Sequence, residues 1–373
     1  MRKIYLVGGF FSHANYGDVV QARAWVDFYK KYGFQVALLY VAKDSGKTAQ
    51  FRHFLGEHPE LIDYTSVLKA EANVSRQDVL HLYGGGYLNS VWGSEFSKLL
   101  LAFGRRGAKT FSTGTQIDQD WARDYYKRIR SVSNVQWLSV RDPYSRKYLR
   151  TDQPLLCDDS LLYFLDSHRP QPSLAQSAVP KKIIAHFNLT DYVTKQLSDQ
   201  PSRCANVFNL LQGKKEPTGA MVEGFVRNYL QQGYTFTILQ NFPSPPDEVI
   251  EGERLFTDRK LLSQVTMQDT FAAEKDGASF LFGVANSFHA AIMMRVCLNT
   301  PVYFLALNDY YKQKVAALIE YGLVDKTHVV RRLNWLSRLQ PPGVPVKDNG
   351  DVIRRIRERV ETLKRRVLEV VSA

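Results

Sequence analysis

The sequence predicts an α/β fold of two successive domains, each a parallel sheet wound with helices. Three observations carry this. Short apolar runs alternate with longer amphipathic ones in both halves, the pattern of parallel strands joined by helices. The chain has 373 residues, 45% of them hydrophobic, more than one ordinary core absorbs and enough for two. Between the halves, Asp166 to Pro180 (DSHRPQPSLAQSAVP) holds three prolines among Ser and Gln without periodicity, which reads as a linker. The expected organisation is residues 1–165 as one domain, 166–180 as linker, 181–350 as the second domain and 351–373 as a terminal amphipathic helix.

Taken in order, Ile4 to Val7 reads as a strand and Gly8 to Gly17 as the loop that leaves it. Asp18 is suited to cap a helix, and Gly33 to stop it. Val36 to Val41, Val79 to Tyr83, Lys109 to Ser112 and Trp137 to Val140 are further strands, each followed by polar or glycine-rich residues. The second half restarts the alternation with Ile183 to Phe187, Phe236 to Leu239, Ser279 to Phe282 and Val302 to Leu305. Ligands of open parallel sheets bind outside the strands' carboxyl ends. Two such halves suggest Rossmann-like domains facing a cleft, as in the GT-B architecture. The tail places Ile353, Ile356, Val360, Leu363, Val367 and Val370 on one helical face, opposite a basic one: seven Lys and Arg stand against four Asp and Glu. A closing helix packed on the domains is the preferred reading, with contact to anionic lipid as the alternative.

Composition narrows the class. No apolar run approaches the roughly 18 to 20 residues of a membrane span, and Met1-Arg2-Lys3 leads into a strand rather than a signal peptide, so a cytoplasmic protein is expected. Cys157, Cys204 and Cys297 lack metal-ligand spacing and read as reduced core residues; no metal is expected. A formal charge of +12 attracts acidic partners. Interleaved basic and aromatic runs are missing, so specific nucleic-acid binding is not expected.

Four motifs fall at the predicted strand ends. Ala14-Asn15-Tyr16-Gly17-Asp18 opens the first helix, where small residues let backbone N–H groups approach an anion; a capped loop is the plain alternative. Tyr83-Gly84-Gly85-Gly86-Tyr87-Leu88-Asn89 has three consecutive glycines, suiting positive φ or close approach by a ligand, although a tight turn explains one or two of them. In Ser139-Val140-Arg141-Asp142-Pro143-Tyr144-Ser145, Arg141 can fork onto a carboxylate or phosphate, or serve a structural pair with Asp142 capping a helix. Cys157-Asp158-Asp159-Ser160 then adds two acids. The fourth motif, Asn286-Ser287-Phe288-His289-Ala290-Ala291-Ile292, followed by Arg295 and Thr300-Pro301-Val302, puts His289 in the first turn of a helix, whose dipole favours a neutral imidazole.

In this order, from about residue 4 to 310, the motifs resemble the polysaccharide pyruvyl transferase family. The resemblance implies transfer of an enolpyruvyl group from phosphoenolpyruvate onto sugar hydroxyls of a polysaccharide or its lipid-linked precursor, giving a pyruvate ketal and phosphate without a cofactor. It implies His289 as the proton shuttle, with Asp18 and Asp158 as further acid/base candidates. Asn15, Gly84, Gly85, Gly86, Tyr87, Arg141, Ser287 and Arg295 become candidates for substrate binding. The expected partners are phosphoenolpyruvate and a glycan or lipid-linked oligosaccharide acceptor, with peripheral contact at the inner face of an anionic membrane. The rival readings are a GT-B-type glycosyltransferase using a nucleotide sugar and a catalytically silent glycan-binding protein.

Overall fold

The computed structural model describes residues 2–9, 16–40, 54–55, 59–69, 74–89, 93–132, 135–150, 154–167, 181–187, 219–240, 256, 258–276, 278–307, 309–332, 336, 339 and 349–373. The chain divides into two compact units, Met1–Tyr163 with Arg355–Ala373, and Phe164–Arg354. Asp166 and Ser167 end a helix, and the rest of the expected linker, 168–180, lies outside the described residues.

In the first unit, strand β1 (Lys3–Val7) precedes helix α1 (Tyr16–Lys31) and β2 (Gln35–Tyr40). The helix stops where Gly33 N–H bonds the Lys30 carbonyl at 2.9 Å and Phe34 N–H bonds that of Tyr29 at 3.1 Å. Strands β3 (Glu60–Asp63), β4 (Val79–Leu82) and β5 (Gly85–Leu88) follow, then α2 (Gly93–Arg105), β6 (Lys109–Ser112), β7 (Thr115–Ile117), β8 (Val135–Trp137), α3 (Pro143–Leu149) and α4 (Ser160–Ser167). Six parallel strands stand in the order β3-β2-β1-β4-β6-β8, and β5 pairs β7 beyond the ends of β4 and β6.

The second unit repeats this plan. Strand β9 (Lys182–His186) leads to α5 (Gly219–Gln231), β10 (Thr235–Leu239), β11 (Val265–Gln268) and β12 (Phe282–Ala285). Helix α6 (Phe288–Val296), β13 (Val302–Leu305), α7 (Asp309–Glu320) and β14 (Val329–Val330) complete it, and α8 (Asn349–Ser372) starts in this unit but belongs to the first from Arg355 on. The parallel order is β11-β10-β9-β12-β13-β14. Counted along the chain, both six-stranded sheets run third-second-first-fourth-fifth-sixth, the doubly wound Rossmann order. Each sheet has its own apolar core, with Trp121 and Phe103 in the first unit and Phe225 and Tyr229 in the second.

Several expectations are corrected. Helix α1 starts at Tyr16, so Asp18 lies inside its first turn and not at the cap. The strand expected at Trp137 to Val140 is Val135–Trp137, and Val140 makes only isolated bridges to Thr115 and Leu155. The strand expected at Ser279 to Phe282 runs instead from Phe282 to Ala285. Gly283 lies inside that strand, where a Cβ would come within 2.7 Å of Met294 Sδ. β3 escaped the sequence reading because its residues are only partly buried.

The terminal stripe of Ile353, Ile356, Val360, Leu363 and Val367 is buried, and its last member is Val371, not Val370. The apolar stripe is thus buried within the protein, as the preferred closing-helix reading expects. Arg2 and Lys109 bond the Val371 and Val370 carbonyls, cations completing the end of α8. No helix among the described residues is long and apolar enough to cross a membrane.

Candidate functional site

The carboxyl ends of β1 and β4 form the switch point of the first sheet, where neighbouring strands send their connections to opposite faces. The first two motifs meet here. Tyr83 N–H bonds the Val7 carbonyl at 3.0 Å, and the Tyr83 ring packs so closely on Gly8 that a Cβ there would lie 2.3 Å away. Gly9 is occupied from its other side by the Asp18 carboxylate, placed by the first turn of α1, where the helix dipole favours an acid. Asn15 lies outside the described residues.

Below this point is a buried polar network. Asp158 Oδ2 accepts from Arg141 Nη1 at 3.0 Å, and its Oδ1 accepts from Gln21 Nε2 at 2.9 Å, Ser160 N at 3.0 Å and Ser160 Oγ at 2.6 Å. Arg141 also donates to Gln116 Oε1. Arg141 and Asp158 are 1% and 0% exposed, so this is a fully dry ion pair. The guanidinium expected to grip a donor is therefore engaged by a carboxylate of its own unit. The rest of that motif is equally committed. Ser139 Oγ accepts from Gly114 N at 2.9 Å, Asp142 caps α3 by accepting from Ser145 N at 2.9 Å, and Ser145 Oγ accepts from Ile117 N at 2.8 Å. These residues brace the Thr113 to Ile117 segment from below.

Asp159, next in sequence, has a different environment. Its Oδ2 accepts from Gly84 N at 2.7 Å and Thr113 Oγ1 at 2.5 Å, while Oδ1 has no hydrogen-bond partner among the described residues. Burial raises its pKa to about 7, and the charge of Asp158 adds to this. The Thr113 and Gly84 bonds oppose the shift, and the Trp25 indole opposes it least, its Nε1 making no hydrogen bond of full geometry. Because Thr113 spends its proton on Asp159, it accepts from His81 Nε2 at 2.7 Å, and His81 Nδ1 accepts from Tyr29 Oη at 2.9 Å. His81 stacks on Phe111 at 4.5 Å, and burial holds its pKa well below the usual imidazole value, consistent with the neutral form this bonding requires. Adjacent carboxyl groups thus have separated roles: one carries a counter-charge, the other can hold a proton near neutrality.

The glycine loop is shaped by the same groups. Gly85 adopts φ +140°, and a Cβ there would lie 2.0 Å from the Tyr87 ring. That ring stacks on Phe96 at 4.4 Å, and its hydroxyl donates to the Gly84 carbonyl. The glycine is demanded by packing whether or not a ligand approaches. Gly85→Ala is expected to destabilise the protein by about 1–3 kcal/mol. An unchanged urea midpoint would show that Tyr87 moves aside freely.

In the second unit the equivalent switch point lies between β9 and β12. Asn286 N–H bonds the His186 carbonyl at 3.3 Å, and both residues are buried. Ser287 is the N-cap residue of α6, without a side-chain cap bond, and half-buried His289 sits in the first turn. Arg295 is not brought to this group. It stands in the last turn of α6, about 10 Å along the axis, and donates to Asn299 at 3.2 Å. Sequence reasoning passed over Gln21, His81, Gln116 and His186. Only the spacing of Asp18 and Gln21 on one helical face offered a signal. Among the described residues no three of His, Cys, Asp and Glu gather as a metal site.

Two doubly wound units in one chain define a GT-B-like α/β protein. The chain belongs to the polysaccharide pyruvyl transferase family, whose model matches residues 15–246. No curated protein matches the sequence. Among solved structures, it is similar to the UDP-N-acetylglucosamine 2-epimerase from Rickettsia bellii, at 11% identity over 100% of this chain and 96% of that one, with a TM-score of 0.56. The Neisseria meningitidis UDP-GlcNAc 2-epimerase bound to UDP-GlcNAc matches at 10% identity over 98% of this chain and 100% of that one, with a TM-score of 0.53. The Methanocaldococcus jannaschii enzyme in complex with UDP-GlcNAc and UDP matches at 10% identity over 97% and 99%, with a TM-score of 0.51. At these identities the likeness shows the fold.

The comparisons correct the expected activity. The motif resemblance extends to about residue 310, but the family match ends at 246, leaving the Ser287-Phe288-His289 segment outside it. Along its whole length the chain is similar to sugar-nucleotide epimerases. On that finding the expectation of a phosphoenolpyruvate-dependent, ketal-forming transferase, with phosphoenolpyruvate and a glycan or lipid-linked acceptor as partners, is corrected.

Proposed function

We propose that the chain is a cytoplasmic enzyme of the GT-B and epimerase class that acts on a nucleotide-diphosphate sugar. The observation that carries this reading is the likeness along almost the whole chain to epimerases solved with UDP-GlcNAc or UDP. The two switch points supply the setting: Gly8 and Gly9 before α1 in the first unit, and Asn286, Ser287 and His289 before α6 in the second. His289 is proposed as the acid/base group and Asp18 as a hydroxyl-binding or basic group, both at the openings of switch-point helices. Asp158 and Arg141 act from below, as a pair that fixes the loops. Cys157 and Cys297, both free thiols, suit the reducing cytoplasm.

Calorimetric titration with UDP-GlcNAc and other nucleotide-diphosphate sugars tests the proposal, together with assays for nucleotide-diphosphate release and for inversion at the sugar's C2. Saturable binding with either product is expected. Phosphate release from phosphoenolpyruvate with a mass gain on a glycan, and no turnover of any nucleotide sugar, would overturn it.

A further inference from the structure

We propose that the second unit holds a small-oxyanion site centred on Arg295, at the amino edge of its sheet and apart from the strands' carboxyl ends. Arg295 is 4% exposed, yet no carboxylate pairs with it among the described residues. Of its five N–H donors, only Nη1 has a described acceptor, the neutral Oδ1 of Asn299 at 3.2 Å. Buried charges are ordinarily paired, because desolvation otherwise goes unanswered. The consequence is visible in its acidity: burial alone acts on the guanidinium, lowering its pKa to about 10, and no neighbouring acid raises it.

The surroundings are those of an anion cradle. Asn299, at φ +49°, turns the chain back at the end of α6. His328 is half-buried and lies tilted against the Tyr303 ring at 4.6 Å; burial lowers its pKa, the Asp325 charge opposes this, and the Arg295 charge adds a smaller lowering. The nearby acid, Asp325, is engaged in capping, accepting from Thr327 N at 2.8 Å and Thr327 Oγ1 at 2.7 Å. Asn349 donates from Nδ2 to the Arg295 carbonyl at 3.2 Å. It begins the 24-residue helix α8, whose N-terminus brings partial positive charge beside Arg295. A planar fork, an imidazole and a helix start suit a phosphoryl group. The inference does not rest on which sugar donor the chain uses.

Melting temperature should be followed for the full chain in rising orthophosphate, with sodium chloride at matched ionic strength and acetate as separate arms. Wild-type protein is expected to show a saturable shift with phosphate beyond that with chloride. A comparable saturable shift with acetate alone would overturn the phosphoryl assignment in favour of a carboxylate. Arg295→Met removes the uncompensated charge at similar volume, so it should melt no lower than wild type in low salt and lose the phosphate-specific shift. Arg295→Lys keeps the charge without the fork and should respond more weakly than wild type, which covers the case in which the Met variant does not fold. Equal responses to phosphate and chloride in wild type, or an undiminished phosphate shift in either variant, would overturn the site.

Discussion

Arg141→Ala is expected to lose about 3–5 kcal/mol of stability, the cost of leaving a fully buried carboxylate without its cation. The arginine is 1% exposed and its partner Asp158 is 0% exposed, so the orphaned charge stays away from bulk water. Gln21 and Ser160 would remain as neutral donors to Asp158, and Gln116 would lose the donor to its Oε1. The double variant Arg141→Met, Asp158→Leu should recover part of the loss, since a dry ion pair is replaceable by apolar volume. Recovery stays partial because Gln21, Gln116 and Ser160 keep polar atoms in the gap. Urea denaturation of the four-protein cycle measures the coupling. A single Arg141→Ala variant that unfolds at the wild-type midpoint, yet binds its sugar donor weakly, would show that the guanidinium serves the ligand and not the fold.

Asp159→Asn should remove a pH dependence from the protein's stability. The carboxyl titrates near 3.8 when exposed and is raised to about 7 in the folded chain. The folded state therefore holds a proton that the unfolded state has released throughout that interval, and stability falls as pH rises through it. The contribution is complete below about 3.8 and lost above about 7, amounting to up to about 4 kcal/mol. An asparagine carbonyl still accepts from Gly84 N and Thr113 Oγ1 but has no proton to lose. Between pH 5 and 8, wild type should lose stability relative to the variant, so that the two curves converge or cross. Parallel curves would mean that Asp159 is ionised throughout, with Oδ1 paired in solution.

The alternation of apolar runs was enough to place β1, β2, β4, β6, β9, β10 and β13 near their observed positions, because buried parallel strands are short and continuously apolar. Where the reading slipped, a residue was answering to a neighbour far away in sequence. Gly283 is a strand residue because it pairs with Ile184 on one side and Val302 on the other. Val371 replaces Val370 on the buried stripe because a 3.6-residue repeat drifts from a regular three-and-four spacing over about five turns. β3 carries too little buried surface to announce itself.

The sequence by itself determined the kind of fold and the places where chemistry could sit. Period and length decide strand against helix, and loops at the strands' carboxyl ends follow from parallel winding. It also marked Asp18, Gly84, Gly85, Arg141 and Asp158 as unusual at those ends. Only the tertiary structure decided what each of them does. Arg141 and Asp158 are 17 residues apart and Gln21 and Asp158 are 137 apart, so no local pattern could reveal that they share one buried network. Nor could it separate Asp158 from Asp159, identical neighbours in the chain. One meets a guanidinium, while the other meets a threonine hydroxyl and a backbone amide. That difference in partners, in a place without water, makes one acid a counter-ion and lets the other keep its proton near neutral pH.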